Sequence, residues 1–529
     1  VMQLDTDFSG FSTWGNELQL QAGQPARSGA QIGAMLDFKT RAGQVVQSKV
    51  AVSYRSVAQA RSYIIGELPG WGFEQVRAAA RAEWAKALSR VQLEGGTDAQ
   101  RRMFYTALYR VHLTPNDWTG EAPERYGDSR YFENILCLWD TFRTPYPLLT
   151  LIQPQVQTGI VNTLLAYHRQ DGWTGDAHSA HHHEHVQNGS SADVVIADAY
   201  VKQLPGIDWA QAYAAIRKNA FEDFNPQANG RPNQGRLRLD DYRRHGYLPT
   251  DVSSYRDMQA VSRTLEYAHN DFSVLTLARE FGSAADVAEL TERAGNYRKL
   301  WDASTGFMRG RTADGRWHEP FDPLKVETGK QFYEGHAWTW SWYVPHDAAG
   351  LIALHGSQQA FVAKLTTAVE HHYEAYNEPG MLQTYLFTHA GRPDLTQRYV
   401  RQALRHFSDR PDGLPGNDDS GTTSAWLVWA MLGLYPNAGQ DWYYIGSPVF
   451  TKATLQLADG KQLVIESPAS SAHRLHVARA TLGGRPWPQA WLRHGDIARG
   501  ARLNLQMQAQ PTAWGASPPP PSMSSPITP

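Results

Sequence analysis

Two adjacent carboxylates, Asp418 and Asp419, lie in a loop of glycine, proline and asparagine residues at positions 413–421. An almost entirely apolar run follows at 425–434, which predicts a tight turn feeding a buried helix with Asp419 or Ser420 as its N-cap. A carboxylate there accepts backbone N–H groups at the positive end of the helix dipole, so its ionised form is favoured. The loop could therefore hold a general base, although turn formation and helix capping explain the same residues.

A third carboxylate, Glu334, stands among aromatic residues just before another predicted helix. Partial desolvation by aromatic walls raises the pKa of a carboxyl group, which suits a general acid. Glycoside hydrolysis uses one protonated and one ionised carboxyl group, and the inverting reaction needs them roughly 6.5–9.5 Å apart. Glu334 and the pair Asp418 and Asp419 supply these two groups from separate loops.

Two further clusters could bind a sugar or a cation. Asp140 and Arg143 are three residues apart beside Trp139, so on one helical turn they would share a face and could grip hydroxyl groups. An internal ion pair is the alternative. The second cluster places the amide of Asn377 beside the carboxylate of Glu378; such oxygens are hard ligands for Ca²⁺, and a simple turn is the alternative.

A histidine-rich segment, residues 178–185, contains five imidazoles in eight positions and could bind zinc or nickel. The partners of a defined site are not evident in the sequence, and flexible histidine-rich loops also bind such metals adventitiously. The following Asn188-Gly189-Ser190 matches an N-glycosylation acceptor, but one match in a chain of 529 residues carries little weight.

Composition narrows the classes of partner. Lys and Arg total 50 against 52 acidic residues, so no basic field favours nucleic acid or anionic lipid. The 18 Trp, 24 Tyr and 18 Phe are typical of sugar-binding clefts, although a large core accounts for many of them. The single cysteine, Cys137, lies in an apolar run and excludes an intramolecular disulfide. No apolar run reaches 18 residues, so no membrane span is expected.

Periodicity predicts a mixed, mainly α, multidomain protein. Alternating residues predict a β domain over 1–68, part of a sandwich, followed by a linker helix within 69–95. Helical periodicity over 96–437 predicts helices at 101–113, 156–168, 193–204, 209–221, 257–281, 284–300, 336–355, 358–373, 395–406 and 423–434. Because chemistry-rich loops join these helices, they indicate an α/α barrel. Alternation returns over 438–514, which predicts a second β segment that could pair with the first β region. The Pro/Ser-rich tail 515–529 is predicted to be disordered. The strand-rich start at Val1, with no signal peptide, suggests an N-terminally incomplete or processed chain.

The ordered motifs of the chain resemble those of the glycoside hydrolase family 92 exo-α-mannosidases. The matching stretches are Leu138-Trp139-Asp140-Thr141-Phe142-Arg143, Asp193-Val194-Val195-Ile196-Ala197-Asp198-Ala199-Tyr200, Tyr333-Glu334-Gly335-His336-Ala337-Trp338, Val344-Pro345-His346-Asp347, Asn377-Glu378-Pro379, residues 413–421 and Gly446-Ser447-Pro448-Val449-Phe450. The resemblance covers nearly the whole chain.

This resemblance implies an N-terminal β-sandwich, an (α/α)6 catalytic barrel and calcium-dependent, inverting release of terminal mannose. Glu334 would be the general acid and Asp419 the base, with Asp418 beside it. Asn377 and Glu378 would bind calcium, which in the family also binds the 2- and 3-hydroxyls of the sugar. The implied substrate-binding residues are Trp139, Asp140, Arg143, Trp338, His346 and Asp347.

The expected substrate is terminal α-linked mannose, with an α-1,2 linkage first, in mannan or N-glycans. The resemblance further implies a monomer in the periplasm or outside the cell. The chain departs from the family at Asn417, where an acid is common, which bears on a shared-base arrangement. His336 replaces a usual Asn and Gly380 follows the Asn-Glu-Pro motif, in loops that would form the leaving-group side. Rival hypotheses are another α/α-barrel glycosidase such as an inverting α-glucosidase, a non-catalytic mannan-binding protein, and a metal-storage or metal-sensing protein built on the histidines.

Overall fold

The computed structural model describes residues 1–16, 18–127, 130–179, 182–184, 187–223, 235–251, 259–326 and 330–525. They form two compact units. The first contains residues 1–87 and 121–123, and the second contains residues 88–120 and the chain from Glu124 onward. Within the described ranges, no helix is both long and apolar enough to cross a bilayer.

The first unit contains two small antiparallel sheets and two helices. Its elements are β1 (Met2–Leu4), β2 (Gly10–Trp14), β3 (Gln21–Ala22), β4 (Gly33–Asp37), β5 (Ser48–Val50), α1 (Val57–Glu67) and α2 (Phe73–Leu88). Strand β2 lies between β3 and β4, and β1 pairs with β5. The predicted β region therefore ends early, because 57–67 is helical: the Ser56 side chain accepts a hydrogen bond from Gln59 N and starts α1.

Most helices of the second unit lie close to predicted segments, but the helices at 138–141, 145–152, 239–245 and 383–386 were not predicted. They are α3 (Asp98–Val111), α4 (Leu138–Thr141), α5 (Pro145–Ile152), α6 (Pro154–Asp171), α7 (Ala192–Val201), α8 (Trp209–Phe221), α9 (Leu239–His245), α10 (Ala260–Phe281), α11 (Ala284–Ala294), α12 (Ala337–Trp340), α13 (Ala348–Leu354), α14 (Gln358–His371), α15 (Gln383–Leu386), α16 (Pro393–Ala403) and α17 (Thr422–Leu432). Short strand pairs join β7 (Asn116–Asp117) with β8 (Phe132–Glu133), β9 (Ala177–Ser179) with β10 (His182–Glu184), and β11 (Trp301–Asp302) with β12 (Phe307–Met308).

Two buried helices form the centre of this unit. Helix α10 is buried along most of its length and packs against α7, α8 and α11. Every residue of α17 is buried, and this helix packs against α3 and α5. Apolarity on all sides of α17 is what a helix surrounded by others requires.

One predicted helix, residues 336–355, is two helices in the structure. Helix α12 ends at Trp340, and α13 begins after Asp347, whose side chain accepts a hydrogen bond from Gly350 N as the N-cap. Pro345 lies in the break, where its missing N–H and fixed φ do not continue a helix. The break forms a buried loop at 341–347, which contains Trp, Tyr, Pro and His residues and which the periodicity had included in one helix.

The C-terminal part contains two sheets. Their strands are β13 (Leu434–Pro436), β14 (Trp442–Ile445), β15 (Lys452–Gln456), β16 (Gln462–Glu466), β17 (His476–Leu482), β18 (Arg485–Pro486), β19 (Trp491–Arg493) and β20 (Ala501–Gln508), with a short helix α18 (His494–Ile497). One sheet has the order β13-β14-β19. The other has the order β18-β17-β20-β16-β15-β6, where β6 is Val91–Glu94. Its edge strand therefore comes from the segment predicted as a linker, and the β1–β5 strands pair among themselves.

The tail is ordered over residues 517–525, contrary to the predicted disorder. The backbone N–H of Met523 donates to the carbonyl of His346 over 2.9 Å, and the hydroxyl groups of Ser522 and Ser524 bond to Asp347. The proline-rich stretch is thus fixed by hydrogen bonds that begin just after it. Residues 526–529 of the predicted tail lie outside the described residues.

Candidate active site

Three carboxyl groups from distant motifs face one another in the second unit. Asp140 belongs to α4, Glu378 starts a 3₁₀ turn at 378–380, and Asp419 lies before α17. Burial, with the neighbouring charges of Asp140 and Asp419, raises the pKa of Glu378 well above its usual value. Burial also raises the pKa of Asp140 to about 8, and the charge of Asp419 adds to that rise. Like charges at short range disfavour simultaneous ionisation, which explains these raised pKa values. The three groups therefore belong to one site.

A buried arginine lies beside these carboxyl groups. Arg143 donates to Glu266 over 3.2 Å and to the backbone carbonyl of Trp139 over 3.0 Å. Glu266, which is 0% exposed, also accepts from the indole N–H of Trp139 over 2.9 Å and from the Tyr343 hydroxyl over 3.2 Å. The Arg143 guanidinium also lies 4.6 Å from the centre of the Trp139 ring. The predicted motif residues Trp139 and Arg143 are therefore held rigidly by a glutamate on α10.

Glu334 lies on a loop that is tied to the Asn377 motif. The Asn377 side-chain amide donates to the backbone carbonyl of Glu334 over 2.7 Å and to Glu374 Oε2 over 2.9 Å. Burial, followed by the charge of Glu334, raises the pKa of the adjacent Tyr333. The Glu334 side chain itself is exposed, which corrects the expectation of a carboxyl group enclosed by aromatic walls.

Asp418 and Asp419 have different surroundings. Asp418 Oδ1 accepts from Ser424 N over 2.9 Å, so Asp418 is the aspartate that receives a backbone N–H at the start of α17. The N-cap residue by backbone conformation is Gly421, not the predicted Asp419 or Ser420. Burial raises the pKa of Asp419, while a hydrogen bond with Glu378 opposes that rise. Asp419 thus points to the shared site, and Asp418 stabilises the loop behind it.

Both Glu334 and Asp419 have left-handed backbone conformations, with φ of 42° and 46°. Residues other than glycine rarely adopt this region, and strained positions of this kind cluster at functional sites. In the Asp419 loop, Gly416 also has a positive φ of 60°, and a Cβ there would lie 2.4 Å from the Tyr376 ring. The loop can pack this closely on Tyr376 because position 416 has no side chain.

The Asn377 and Glu378 side chains suit a calcium ion by their chemistry. Asn377 Oδ1 and Glu378 Oε1 are buried and have no hydrogen-bond partner among the described residues, as is also true of Asp140 Oδ1. Buried oxygens without partners are costly unless a ligand satisfies them. In the described ranges, no three His, Cys, Asp or Glu side chains converge into a metal cage. A cation here would therefore take few protein oxygens and complete its shell with water and hydroxyl groups, which Ca²⁺ tolerates.

The remaining predicted substrate residues lie apart from this cluster. Trp338 is partly exposed and stacks on His372 with 4.5 Å between ring centres. His346 is buried, stacks on His269 and binds the carbonyl of Ala294 over 2.9 Å. These contacts place Trp338 as an accessible aromatic surface and His346 as a packing residue.

Asp347 is saturated by other partners. Its Oδ1 accepts from Gly350 N, the Ser522 hydroxyl and Ser524 N, and its Oδ2 accepts from the hydroxyls of Tyr297 and Ser524 and from Arg298. Six donors use both oxygens of this buried carboxylate. Asp347 therefore anchors the tail and caps α13, in place of the predicted contact with a sugar.

Two of the three described histidines of the 178–185 segment, His178 and His183, are engaged in packing, whereas His182 is exposed. His178 Nδ1 lies 2.8 Å from the Tyr167 hydroxyl and 3.0 Å from Glu133, and His183 Nε2 lies 2.8 Å from Asp171 Oδ2. His181 and His185 lie outside the described residues. One ring nitrogen of His178 and one of His183 therefore contact protein side chains in place of the predicted zinc or nickel.

Sequence reasoning missed two carboxylates of the site, Glu266 and Asp176. Glu266 lies in the middle of α10, where an ordinary helical pattern hides it, and Asp176 raises the pKa of both Cys137 and Asp140 after burial. The sequence did carry a signal for Glu266: charged and amide residues occur on every side of helix α10. Because neighbouring helices cover this helix, some of these polar residues must be buried. Cys137 is buried, as predicted.

Comparison with known proteins gives the family. A family model described as the glycosyl hydrolase family 92 catalytic domain matches residues 59–509. A protein of Arthroderma benhamiae named as an uncharacterized secreted glycosidase is 31% identical over an alignment of 506 residues, and the alignment covers 89% of this chain and 61% of that protein. The chain thus spans about three fifths of the length of this curated relative.

Solved structures agree. An inverting mannosidase of family GH92 from Bacteroides thetaiotaomicron has a TM-score of 0.90 and 28% identity, covering 99% of this chain and 75% of its own. A second family GH92 α-mannosidase from that organism has a TM-score of 0.87 and 27% identity over 99% of this chain and 72% of its own, and it was also solved in complex with mannoimidazole. On the extent of the family match, this chain belongs to glycosyl hydrolase family 92.

Proposed function

We propose that the protein is an exo-acting α-mannosidase that releases terminal α-linked mannose with inversion. The observation that carries this proposal is the meeting of the buried Asp140 and Glu378 with the partly exposed Asp419, with Asn377 bonded to the Glu334 loop, in a chain of family 92. The similarity to two solved mannosidases supports the choice of sugar. The proposed architecture is an (α/α)6 barrel, formed by the helices of the second unit, with an N-terminal β-sandwich.

In the proposed reaction, the Glu334 carboxyl group donates its proton to the glycosidic oxygen as the bond from that oxygen to the anomeric carbon breaks. Asp419 accepts a proton from a water molecule, whose oxygen forms the new bond on the opposite face of the sugar. The exposure of Glu334 is consistent with its role, because the leaving group must reach it from solvent. Trp139, Asp140 and Arg143 would hold the terminal sugar, with Trp338 on the leaving-group side.

Asn377 and Glu378 would hold the calcium ion. When bound, the ion would supply ligand sites for the 2- and 3-hydroxyls of the mannose and favour a distorted ring. The two buried oxygens without partners, Asn377 Oδ1 and Glu378 Oε1, are the observation that supports this assignment.

The proposed substrate is an α-1,2-linked mannoside at the end of mannan or of an N-glycan. We place the protein in the periplasm or outside the cell, in keeping with a relative named as a secreted glycosidase, and we expect a monomer.

Mannose release from α-1,2-, α-1,3-, α-1,4- and α-1,6-linked mannobioses, with calcium and with excess EDTA, tests the proposal. We expect release that EDTA abolishes and calcium restores, with β-mannose as the first product by NMR. The matched control is Glu334→Gln, which should bind mannobiose without releasing mannose. Binding without turnover by the unmodified chain would instead favour a mannan-binding protein, and glucose release unaffected by EDTA would favour another α/α-barrel glycosidase.

A further inference from the structure

The turn 187–190 contains a buried amide that the proposed reaction does not use. The Asn188 side chain is 1% exposed, and neither its Nδ2 nor its Oδ1 has a hydrogen-bond partner within the described part of the chain. A buried amide without partners is strongly unfavourable, so such a group is normally satisfied by a ligand or water. Asn188 also begins an Asn-Gly-Ser acceptor sequence, but its burial removes it from any glycosylating enzyme in the folded protein.

Contacts at both ends of the turn place Asn188 beside the candidate site. On one side, Gln187 N donates to Asp176 Oδ2 over 3.2 Å, and the Tyr333 hydroxyl donates to Gln187 Oε1. Tyr333 directly precedes Glu334, and the charge of Asp176 acts on Asp140. This end of the turn therefore lies between the proposed acid and the buried carboxyl cluster.

The other end of the turn lies against the helix that holds Trp139 and Arg143. Ser190 N donates to Asn270 Oδ1 over 3.0 Å, and a Cβ added at Gly189 would lie 3.4 Å from Glu266 Oε2. Glu266 is the carboxylate that binds both Trp139 and Arg143. Asn188 thus lies between Gln187, which is linked to Tyr333 and to Asp176 near Asp140, and Gly189, which lies close to the Glu266 carboxylate that binds Trp139 and Arg143.

We infer that Asn188 is a specificity-determining residue whose side-chain amide binds a hydroxyl group of the terminal sugar. This inference rests on the proposed function. An amide offers a donor and an acceptor side by side, which matches a sugar hydroxyl, itself both donor and acceptor. Since calcium would bind the 2- and 3-hydroxyls, Asn188 binds the 4- or the 6-hydroxyl of the sugar. It thereby recognises mannose through a hydroxyl group that the calcium ion would not bind.

The test compares Asn188→Leu with Asn219→Leu, both in a Glu334→Gln background so that ligand is not hydrolysed. Leucine has the same number and branching of side-chain heavy atoms as asparagine. Asn219 is almost as buried as Asn188 but donates to Thr174 and Asp193. Thermal unfolding and calorimetric binding of methyl α-mannoside and its 4-deoxy and 6-deoxy analogues are measured with calcium present. We expect Asn188→Leu to unfold at or above the midpoint of the parent, and Asn219→Leu to unfold below it.

We also expect Asn188→Leu to lower the affinity for methyl α-mannoside by at least about 10-fold. The parent should bind one of the two deoxy analogues more weakly than methyl α-mannoside by a similar factor, because that analogue lacks the hydroxyl that Asn188 binds. Asn188→Leu should weaken the binding of that analogue little further. Equal affinity of parent and Asn188→Leu for all three ligands overturns the inference while leaving the mannosidase proposal intact. A marked loss of stability in Asn188→Leu assigns the residue a packing role and also overturns it. Failure of the parent to bind any of the three ligands refutes the proposed function, and the inference with it.

Discussion

Replacing Asp347 by asparagine removes a buried carboxylate to which the C-terminal tail is bound. Burial alone would raise the pKa of Asp347, but the hydrogen bond from Ser524, the electrostatic interaction with His346 and the hydrogen bonds from Tyr297 and Ser522 lower it to about 2. Against an ordinary aspartate pKa of 3.8, a shift of nearly two units corresponds to about 2 kcal/mol of stability at neutral pH. Asp347→Asn should lower the free energy of unfolding by about this amount.

The pH dependence of that loss has a definite sign. Because the folded-state pKa is depressed, the stabilisation is complete above the unfolded pKa and is lost as pH falls through the folded pKa. The difference between the parent and Asp347→Asn should therefore be constant above about pH 5, fall to roughly half near pH 3 and nearly vanish by about pH 2. The cause is protonation of a carboxylate that accepts six hydrogen bonds in the folded chain.

Urea unfolding followed between pH 6.5 and pH 2.5, with hydrogen exchange of the tail amides, measures the effect. Asp412→Asn is the control, since Asp412 forms an exposed pair with Arg410 and should change stability by less than about 0.5 kcal/mol at any pH. The Ser524 amide, which donates to Asp347, should exchange faster in Asp347→Asn only. A loss of stability that persists unchanged at pH 2.5 would refute the reasoning. Loss of mannoside binding by folded Asp347→Asn would restore a substrate-binding role.

Three further predictions concern the site. Glu266→Gln should lower the free energy of unfolding by about 3 kcal/mol, because it removes the carboxylate that is hydrogen bonded to a buried guanidinium; a loss below about 1 kcal/mol in calorimetry would contradict this. Gly416→Ala should reduce mannoside affinity and stability, because the added Cβ clashes with Tyr376. The control Gly315→Ala, also at positive φ but in open space, should lower stability alone. Equal effects of the two substitutions on affinity would contradict the role of the clash. Glu334→Gly should be more stable than Glu334→Ala by about 1 kcal/mol in thermal unfolding, because its φ is 42°; the reverse order would show that the backbone there is not strained.

Much of the helical architecture was predictable because amphipathic periodicity is a local property. Helices α8 and α14 begin at the residues that the pattern predicted, Trp209 and Gln358. The motif order also placed Glu334, Glu378 and Asp419 on separate loops, and the structure brings Glu378 and Asp419 together. These predictions succeeded because the residues that define each helix or motif are close to one another in the sequence.

The rest depends on contacts between distant segments, which local patterns do not contain. Val57–Glu67 alternates like a strand over part of its length, and its Ser56 cap decides for a helix. Glu266 is indistinguishable from a solvent-facing helical glutamate until the partners Trp139 and Arg143 fold onto it. The tail is ordered by Asp347, over 170 positions away, so its composition alone predicted disorder.

The position of β6 has a consequence for biosynthesis. This strand leaves the ribosome before the helices, whereas its neighbour β15 follows them: Glu94 and Thr451, which are hydrogen bonded, stand 357 positions apart. Contacts of such long sequence separation form late, and an unpaired strand is open to aggregation until its partner arrives. The whole helical segment must therefore be synthesised while β6 waits, so a chaperone that shields residues 91–94 would raise the yield of folded protein more than one acting on the helices.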